Sequence, residues 1–367
     1  MKKVLSVSLA CIMVLALFVT GCGSSTPKDD DIVITMSASG DSDISSDATM
    51  TYGLVNFYAQ STQVYYDAIY GSYYGSSFWS MSTETDASGN AISTMADSFK
   101  TNLLESLEAI MVLEAHASEY GVSLSDEDEA AITEAATEFM EENSDKASKA
   151  LGATQEIVEE YLRLTTYQTR MQEAIYEEAD LSSIDEADAA ARTFTYAEIP
   201  LTSTDASGNA VEITGDELTE YETSAQEIVD KATESGDLES QLTGAGLTAQ
   251  TYSYTRNETS MASEVIDAAD QLSEGQITMV EVEGDAIYII RLDSEYDESA
   301  TESNMQSLIS QAQQNYYYEL VEEWMGQMNF EVDEDALDQI SFAVMYTTVS
   351  EDESADAESS NASADAE

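Results

Sequence analysis

The sequence predicts an α+β protein, a helical domain into which a small β-α-β-α-β-β module is inserted. Three observations predict it. Apolar residues recur at spacings of three, four and seven through residues 50–180 and again through 302–328, the period of an amphipathic helix. Between residues 193 and 292, short runs rich in β-branched and aromatic residues alternate with helical stretches. The composition changes at a hinge-like stretch, residues 180–191, where the helical pattern stops.

The N-terminus comes first. Lys2 and Lys3 precede an apolar run from Val4 to Val19. That run falls short of the ~20 apolar residues of a membrane-spanning helix and fits the apolar core of a signal peptide. It ends in Val19-Thr20-Gly21-Cys22, which resembles the bacterial lipobox. The resemblance implies that residues 1–21 are removed and that the Cys22 thiol takes a diacylglyceryl group. Cys11 would leave with the signal, so no disulfide is expected. Residues 22–49, rich in Ser, Thr and Asp, read as a flexible tether.

Residues 50–190 read as helical. Ten aromatics fall between Tyr52 and Trp79, many at helical spacings. Tyr65, Tyr66, Tyr70, Tyr73 and Tyr74 are candidates for a client-binding surface, because tyrosine joins an apolar body to a polar tip. A core helix clamped between neighbours gives the same pattern. Residues 84–93 read as a loop. Its seven residues Thr85-Asp86-Ala87-Ser88-Gly89-Asn90-Ala91 return at 204–210, and both copies read as exposed turns. One carboxylate per copy is too few for a calcium loop. Further helices are expected over 97–120, from Ser125 as N-cap, and over 154–178.

Residues 191–297 form the inserted module. A strand runs from Thr193 to Ile199, helices cover 216–235 and 261–270, and a strand lies at 248–255. A closing hairpin at 277–283 and 286–292 turns at Gly284-Asp285. Residues 298–346 return to the helical domain, the long helix at 302–328 being expected beside the aromatic segment 52–79. Residues 347–367 read as an acidic, disordered tail.

The charge bounds the partners. Twelve Lys and Arg face 73 Asp and Glu, a net charge of −61. Phosphate binding needs basic clusters, so nucleic acid is excluded. The single histidine, His116, sits in the helical part, and no Gly-rich phosphate loop or metal-ligand cluster is present in the pattern. No cofactor and no metal are expected.

The strand Ala191-Arg192-Thr193-Phe194-Thr195, the entry Ser273-Glu274-Gly275-Gln276-Ile277 and the strand Tyr288-Ile289-Ile290-Arg291-Leu292 resemble a parvulin-type prolyl isomerase domain. Tyr120-Gly121-Val122-Ser123-Leu124-Ser125-Asp126-Glu127 resembles a helix junction of extracytoplasmic foldases of the PrsA and SurA type. The resemblance covers residues 50–346. It places Thr193 and Tyr288 where the family carries two histidines, Met261 at the proline-pocket methionine, and Val265 and Ile266 near the pocket phenylalanine. It implies a lipid-anchored chaperone or foldase on the extracytoplasmic face of the cell membrane, with a degenerate parvulin-like module. Its partners would be unfolded or newly exported proteins, with a homodimer left open. A peptidyl-prolyl isomerase with an atypical site is the alternative. A solute-binding lipoprotein would share the anchor but needs two α/β lobes.

Overall fold

The computed structural model describes residues 27–39, 47–86, 91–204, 208 and 210–346. The signal, Cys22 and tail expectations lie outside these residues. The chain divides into two compact units, one made of residues up to Glu178 and from Tyr316, the other of Ala179–Asn315.

The first unit opens with β1 (Ile32–Ala38), β2 (Ala48–Thr51) and α1 (Tyr52–Tyr74), which ends in a 3₁₀ turn at Gly75–Ser80. A ribbon of β3 (Ser82–Thr85) and β4 (Ala91–Thr94) leads into α2 (Met95–His116), α3 (Asp126–Glu142), α4 (Asp145–Leu151) and α5 (Gln155–Glu178). The second unit holds α6 (Glu186–Ala189), β5 (Arg192–Pro200), a ribbon of β6 (Thr202–Thr204) and β7 (Ala210–Glu212), α7 (Asp216–Ser235), α8 (Leu238–Gly244), β8 (Gln250–Tyr254), α9 (Ser263–Asp270), β9 (Ile277–Val282) and β10 (Ala286–Ser294). Helix α10 (Glu298–Gly326) begins in the second unit and ends in the first, where β11 (Met328–Val332) and α11 (Glu334–Asp338) follow.

Three expectations are corrected. The tether, read as 22–49, contains β1, the middle strand of a three-stranded antiparallel sheet in the order β11-β1-β2. Val33, Ile34 and Met36 are buried in it. Its partner comes from the other end of the chain, with Ile34 opposite Val332, so nothing in the local Ser/Asp-rich composition signals it. Within the loop read as 84–93, the described residues pair as the ends of β3 and β4, and β6 and β7 flank the second heptapeptide copy. Finally, α1 packs against α5, α2 and α4, with Tyr58 and Phe57 both against Tyr161. The end of α10 is occupied elsewhere: Trp324 stacks on His116 of α2 at 3.9 Å, and Tyr317 meets Tyr176 of α5. His116 is thus a packed core residue.

The helix starts are set locally. Thr94 with Asp97, and Ser125 with Asp128, form reciprocal capping boxes on α2 and α3, each satisfying donors the helix leaves unpaired. Arg170 of α5 also grips Asp128 with both guanidinium nitrogens, at 2.9 and 2.6 Å. The Arg170 bonds, then those from Ser125, hold the Asp128 carboxyl well below the usual carboxylate range. A depressed folded-state pKa stabilises above the unfolded value, and that contribution is lost as pH falls through the folded one. Arg170→Ala is therefore expected to lower the melting temperature at neutral pH and to shrink the gap between wild type and variant in strong acid. Thermal melts between pH 7 and pH 2 check this, and a gap independent of pH would contradict it.

In the second unit the sheet order is β8-β5-β10-β9, antiparallel throughout. Ala197, Ile287 and Ile289 face α7 and α8, packing on Ala225, Val229, Leu238 and Leu242. Phe194, Tyr196, Ile290 and Leu292 face the other way, onto Val265 and Ala269 of α9. The module keeps the expected β-α-β-α-β-β order, with the β6–β7 ribbon and α8 as additions.

Candidate functional site

Two places concentrate the residues singled out by sequence. The first is the outer half of α1. Tyr65 and Tyr73 are 63% and 84% exposed, and Tyr70, Tyr74 and Ile69 are exposed beside them. Tyr66 is half-buried and anchors the group, in edge contact with Tyr65 at 5.9 Å and stacked toward Tyr70 at 6.0 Å. Tyr70 lies flat on buried Phe78 at 5.0 Å, and Phe78 meets Trp79 at 5.1 Å. An exposed aromatic surface is therefore fixed from below by buried rings. Soluble chains seldom leave such a surface without a use, because burying it is worth ~25 cal/mol per Å².

The second is the α9-facing side of the module's sheet. Phe194 and Tyr196 on β5, Tyr252 and Tyr254 on β8 and Tyr288 on β10 form one aromatic cluster, with centroids 5.6–6.4 Å apart. Met261 and Ile266 are half-buried at its margin, while Val265 is 0% exposed and belongs to the core. The hydroxyls are neutral donors. Tyr288 donates to Asp285 at 2.9 Å, and burial and that carboxylate push its pKa far up. Tyr254 donates to Asp270 at 2.8 Å and accepts from Arg192, its pKa pushed up to about 12 by burial and then by Asp270. A cleft of about 250 Å³ beside them is lined by Arg192, Tyr254, Ile266 and Asp270. The larger cleft of about 750 Å³, lined by Ala232, Gln276 and Arg291, lies on the α7 side, away from the aromatics. Arg291 is already bound there to Glu239 and Asp293.

Thr193 and Tyr288 do not come together. Thr193 pairs with Ser294 and Ser253, whereas Tyr288 pairs with Glu198, about 16 Å further along β5. Alternation also puts them on opposite faces. Thr193 donates to Asp297 at 2.6 Å and shares a 2.7 Å bond with Ser253. A Thr193→His, Tyr288→His double variant is thus expected to show no gain in prolyl isomerisation over wild type. A peptide cis/trans assay checks this, and appearance of turnover would contradict the register. Phe194, Tyr196, Tyr252 and Tyr254 were not singled out by sequence. The i, i+2 aromatic pairs on two strands were the available signal.

Among the described residues there is no group of three His, Cys, Asp or Glu side chains placed to hold a metal, and no helix long and apolar enough to cross a membrane.

The fold and these sites define an α+β chain with a helical unit presenting aromatics and a small antiparallel-sheet unit in which Tyr288, Tyr254 and Thr193 bond to nearby carboxylates. Solved structures that resemble it include PrsA peptidyl-prolyl isomerases and SurA-like chaperones. The PrsA of Bacillus cereus is 16% identical, with 71% of this chain and 97% of that one covered and a TM-score of 0.31. The foldase PrsA of Streptococcus pneumoniae is 15% identical, with 72% and 100% covered and a TM-score of 0.28. A SurA-like chaperone of Campylobacter jejuni is 11% identical, with 63% and 88% covered and a TM-score of 0.24. At these scores the overlays carry neither a residue correspondence nor an activity. No protein-family model and no curated protein matches the chain.

Proposed function

We propose that the protein is a membrane-anchored extracytoplasmic folding factor. It holds unfolded or newly exported chains on its helical unit, and its parvulin-like module is a degenerate isomerase. The observation that carries this is the exposed tyrosine surface of α1, seated on half-buried Tyr66 and buried Phe78 and Trp79. A rigid aromatic surface binds extended chains by stacking and apolar contact without reading sequence, and low affinity lets clients leave. The net charge of −61 adds repulsion between copies and keeps the loaded protein soluble.

In the module, catalysis of prolyl isomerisation would mean lowering a barrier of about 18–20 kcal/mol by twisting the amide in a dry pocket. The hydroxyls of Tyr288, Tyr254 and Tyr196 are bonded to Asp285, Asp270 and Gln250, and Val265, proposed from the resemblance near the pocket phenylalanine, is buried in the core. These internal bonds, among the described residues, support the degenerate reading. The full chain is expected to delay aggregation of a denatured test protein at near-stoichiometric ratio and to leave prolyl isomerisation at background. Turnover comparable to an ordinary parvulin would replace this reading with the isomerase.

Anchoring is proposed on the sequence Val19-Thr20-Gly21-Cys22. Cys22→Ala is expected to block lipid labelling and move the protein from the membrane fraction to the medium. Unchanged fractionation would remove the anchor from the proposal.

A further inference from the structure

Helix α1 carries a second, inward face. Gln60, Gln63 and Asp67 lie along it one turn apart, and they are 5%, 0% and 4% exposed. Three polar side chains buried on one helix are costly unless each finds a partner. Some partners are side chains of the unit itself: Trp79 Nε1 donates to Asp67 Oδ1 at 2.8 Å and Gln63 Nε2 donates to Asp67 Oδ2 at 3.1 Å. The others come from the main chain of residues 341–346, a segment with no regular secondary structure. Gln60 Nε2 donates to the Ser341 carbonyl at 3.3 Å, and Gln63 Nε2 donates to the Val344 carbonyl at 2.5 Å. The Tyr346 backbone N–H donates to Asp67 Oδ2 at 2.9 Å. Between these bonds, Phe342 stacks on Trp79 at 4.7 Å and meets Phe99 at 5.1 Å. Tyr346 sinks its ring among Phe57, Val64 and Leu151, its hydroxyl within reach of Gln60 Oε1 at 2.7 Å and the Ala150 carbonyl at 3.0 Å. Met345 passes over Gly71, where an added Cβ would come within 3.6 Å of its side chain.

This is how a groove holds an extended peptide. Side-chain amides and a carboxylate grip the backbone, which every sequence possesses, and two ring-shaped recesses take residues four apart. One group in the groove is still unserved: Gln63 Oε1 is buried with no partner. The segment in place fills the amide's donor and leaves its acceptor open, as a peptide offering an N–H at that level would not. The groove is also continuous with the outer tyrosines, since Tyr70, Phe78, Trp79 and Phe342 touch in sequence.

We infer that this face of α1 is a peptide-binding groove for extended client segments bearing two aromatic residues at i and i+4, and that residues 341–346 occupy it as an internal stand-in which clients displace. The inference deepens the chaperone reading and rests on it for the nature of the ligand. A tethered occupant competes at an effective concentration on the order of millimolar. Weakening it must therefore strengthen binding in trans.

The test uses the full chain and a fluorescent peptide of residues 339–348, with a control peptide in which both aromatics are Ser. Phe342→Ser in the full chain is expected to bind the aromatic peptide roughly tenfold more tightly than wild type does, and the control peptide not at all. Equal binding by variant and wild type would overturn the inference. So would a concentration-dependent dimer of the variant that excludes the peptide, since the occupant would then be a second copy. If Phe342→Ser fails to fold, hydrogen exchange on the wild-type chain decides. Release of the stand-in requires the amides of 344–346 to exchange at least tenfold faster than those of α1 around Gln63. Exchange of both in step would make the segment ordinary core and end the proposal. Aggregation assays run with excess peptide separate the two readings. Peptide binding with no delay of aggregation leaves the groove and removes the chaperone, whereas a delay untouched by saturating peptide leaves the chaperone and removes the groove.

Discussion

Replacing Tyr65, Tyr70, Tyr73 and Tyr74 together with Ser is expected to remove most of the delay in client aggregation, at least fivefold in the protein ratio required, while the far-UV spectrum stays unchanged. The two parts of this expectation have separate causes. Tyr65 and Tyr73 are 63% and 84% exposed, so each loses little packing on truncation. Surface substitutions of that kind usually shift stability by no more than ~0.5 kcal/mol. Tyr70 costs more, because its ring lies on Phe78 at 5.0 Å; an aromatic pair is worth about 0.5–1.5 kcal/mol beyond area burial. The folded unit, resting on Phe57, Phe78, Trp79 and Tyr58, survives that total. Client binding does not, because the four rings are most of the exposed apolar area on this face. Stability by urea titration and aggregation by light scattering measure the two parts independently. An unfolded quadruple variant would show these tyrosines to be core, and a folded variant with full activity would move client binding elsewhere.

The helices and the module's strands were legible because their signals are local. Ser125 with Asp128, and the Gly284-Asp285 turn between two short apolar runs, need nothing from the rest of the chain. Strand β1 was not legible, because Ile32–Ala38 is stabilised by Val332 and Met328 from the far end. The tyrosine periodicity of α1 was visible, but which tyrosines face water was not. A 3.6-residue repeat gives the spacing of a stripe, and on a helix aromatic nearly all round it does not say which stripe the core takes. The same limit hid the inner face. Gln60, Gln63 and Asp67 carry no sequence signal that sets them apart, and only the returning segment 341–346 shows that they are buried. At the sheet, the resemblance placed Thr193 and Tyr288 together by motif position. The pairing register and the alternation of β5 set them apart, which is tertiary information a motif does not contain.

The largest stability effect is expected at Phe194→Ala. Phe194 is fully buried near the start of β5, the strand paired on both sides by β8 and β10. Its ring meets Tyr196, Tyr252 and Tyr254 at 5.6–5.7 Å. Two of those rings are tethered by their own hydroxyls, Tyr254 to Asp270 and Tyr196 to Gln250, which resists their sliding inward to fill the space. Cavities that cannot relax are the expensive ones, and Phe→Ala in such a place costs about 3–5 kcal/mol. A domain holds only about 5–15 kcal/mol in total, so the second unit loses much of its margin. Tyr288→Phe is the matched control. It keeps the ring and removes one hydrogen bond to Asp285, a loss of about 1 kcal/mol. Because the two units have separate cores, signals from α1 to α5 are expected to persist while those of β5, β8 and β10 broaden or vanish at moderate urea. Residue-resolved NMR during a urea titration reads this directly. A Phe194→Ala loss no larger than that of Tyr288→Phe would mean that the aromatic cluster is loosely packed and adaptable. The case against a working proline pocket on that face would then fall with it.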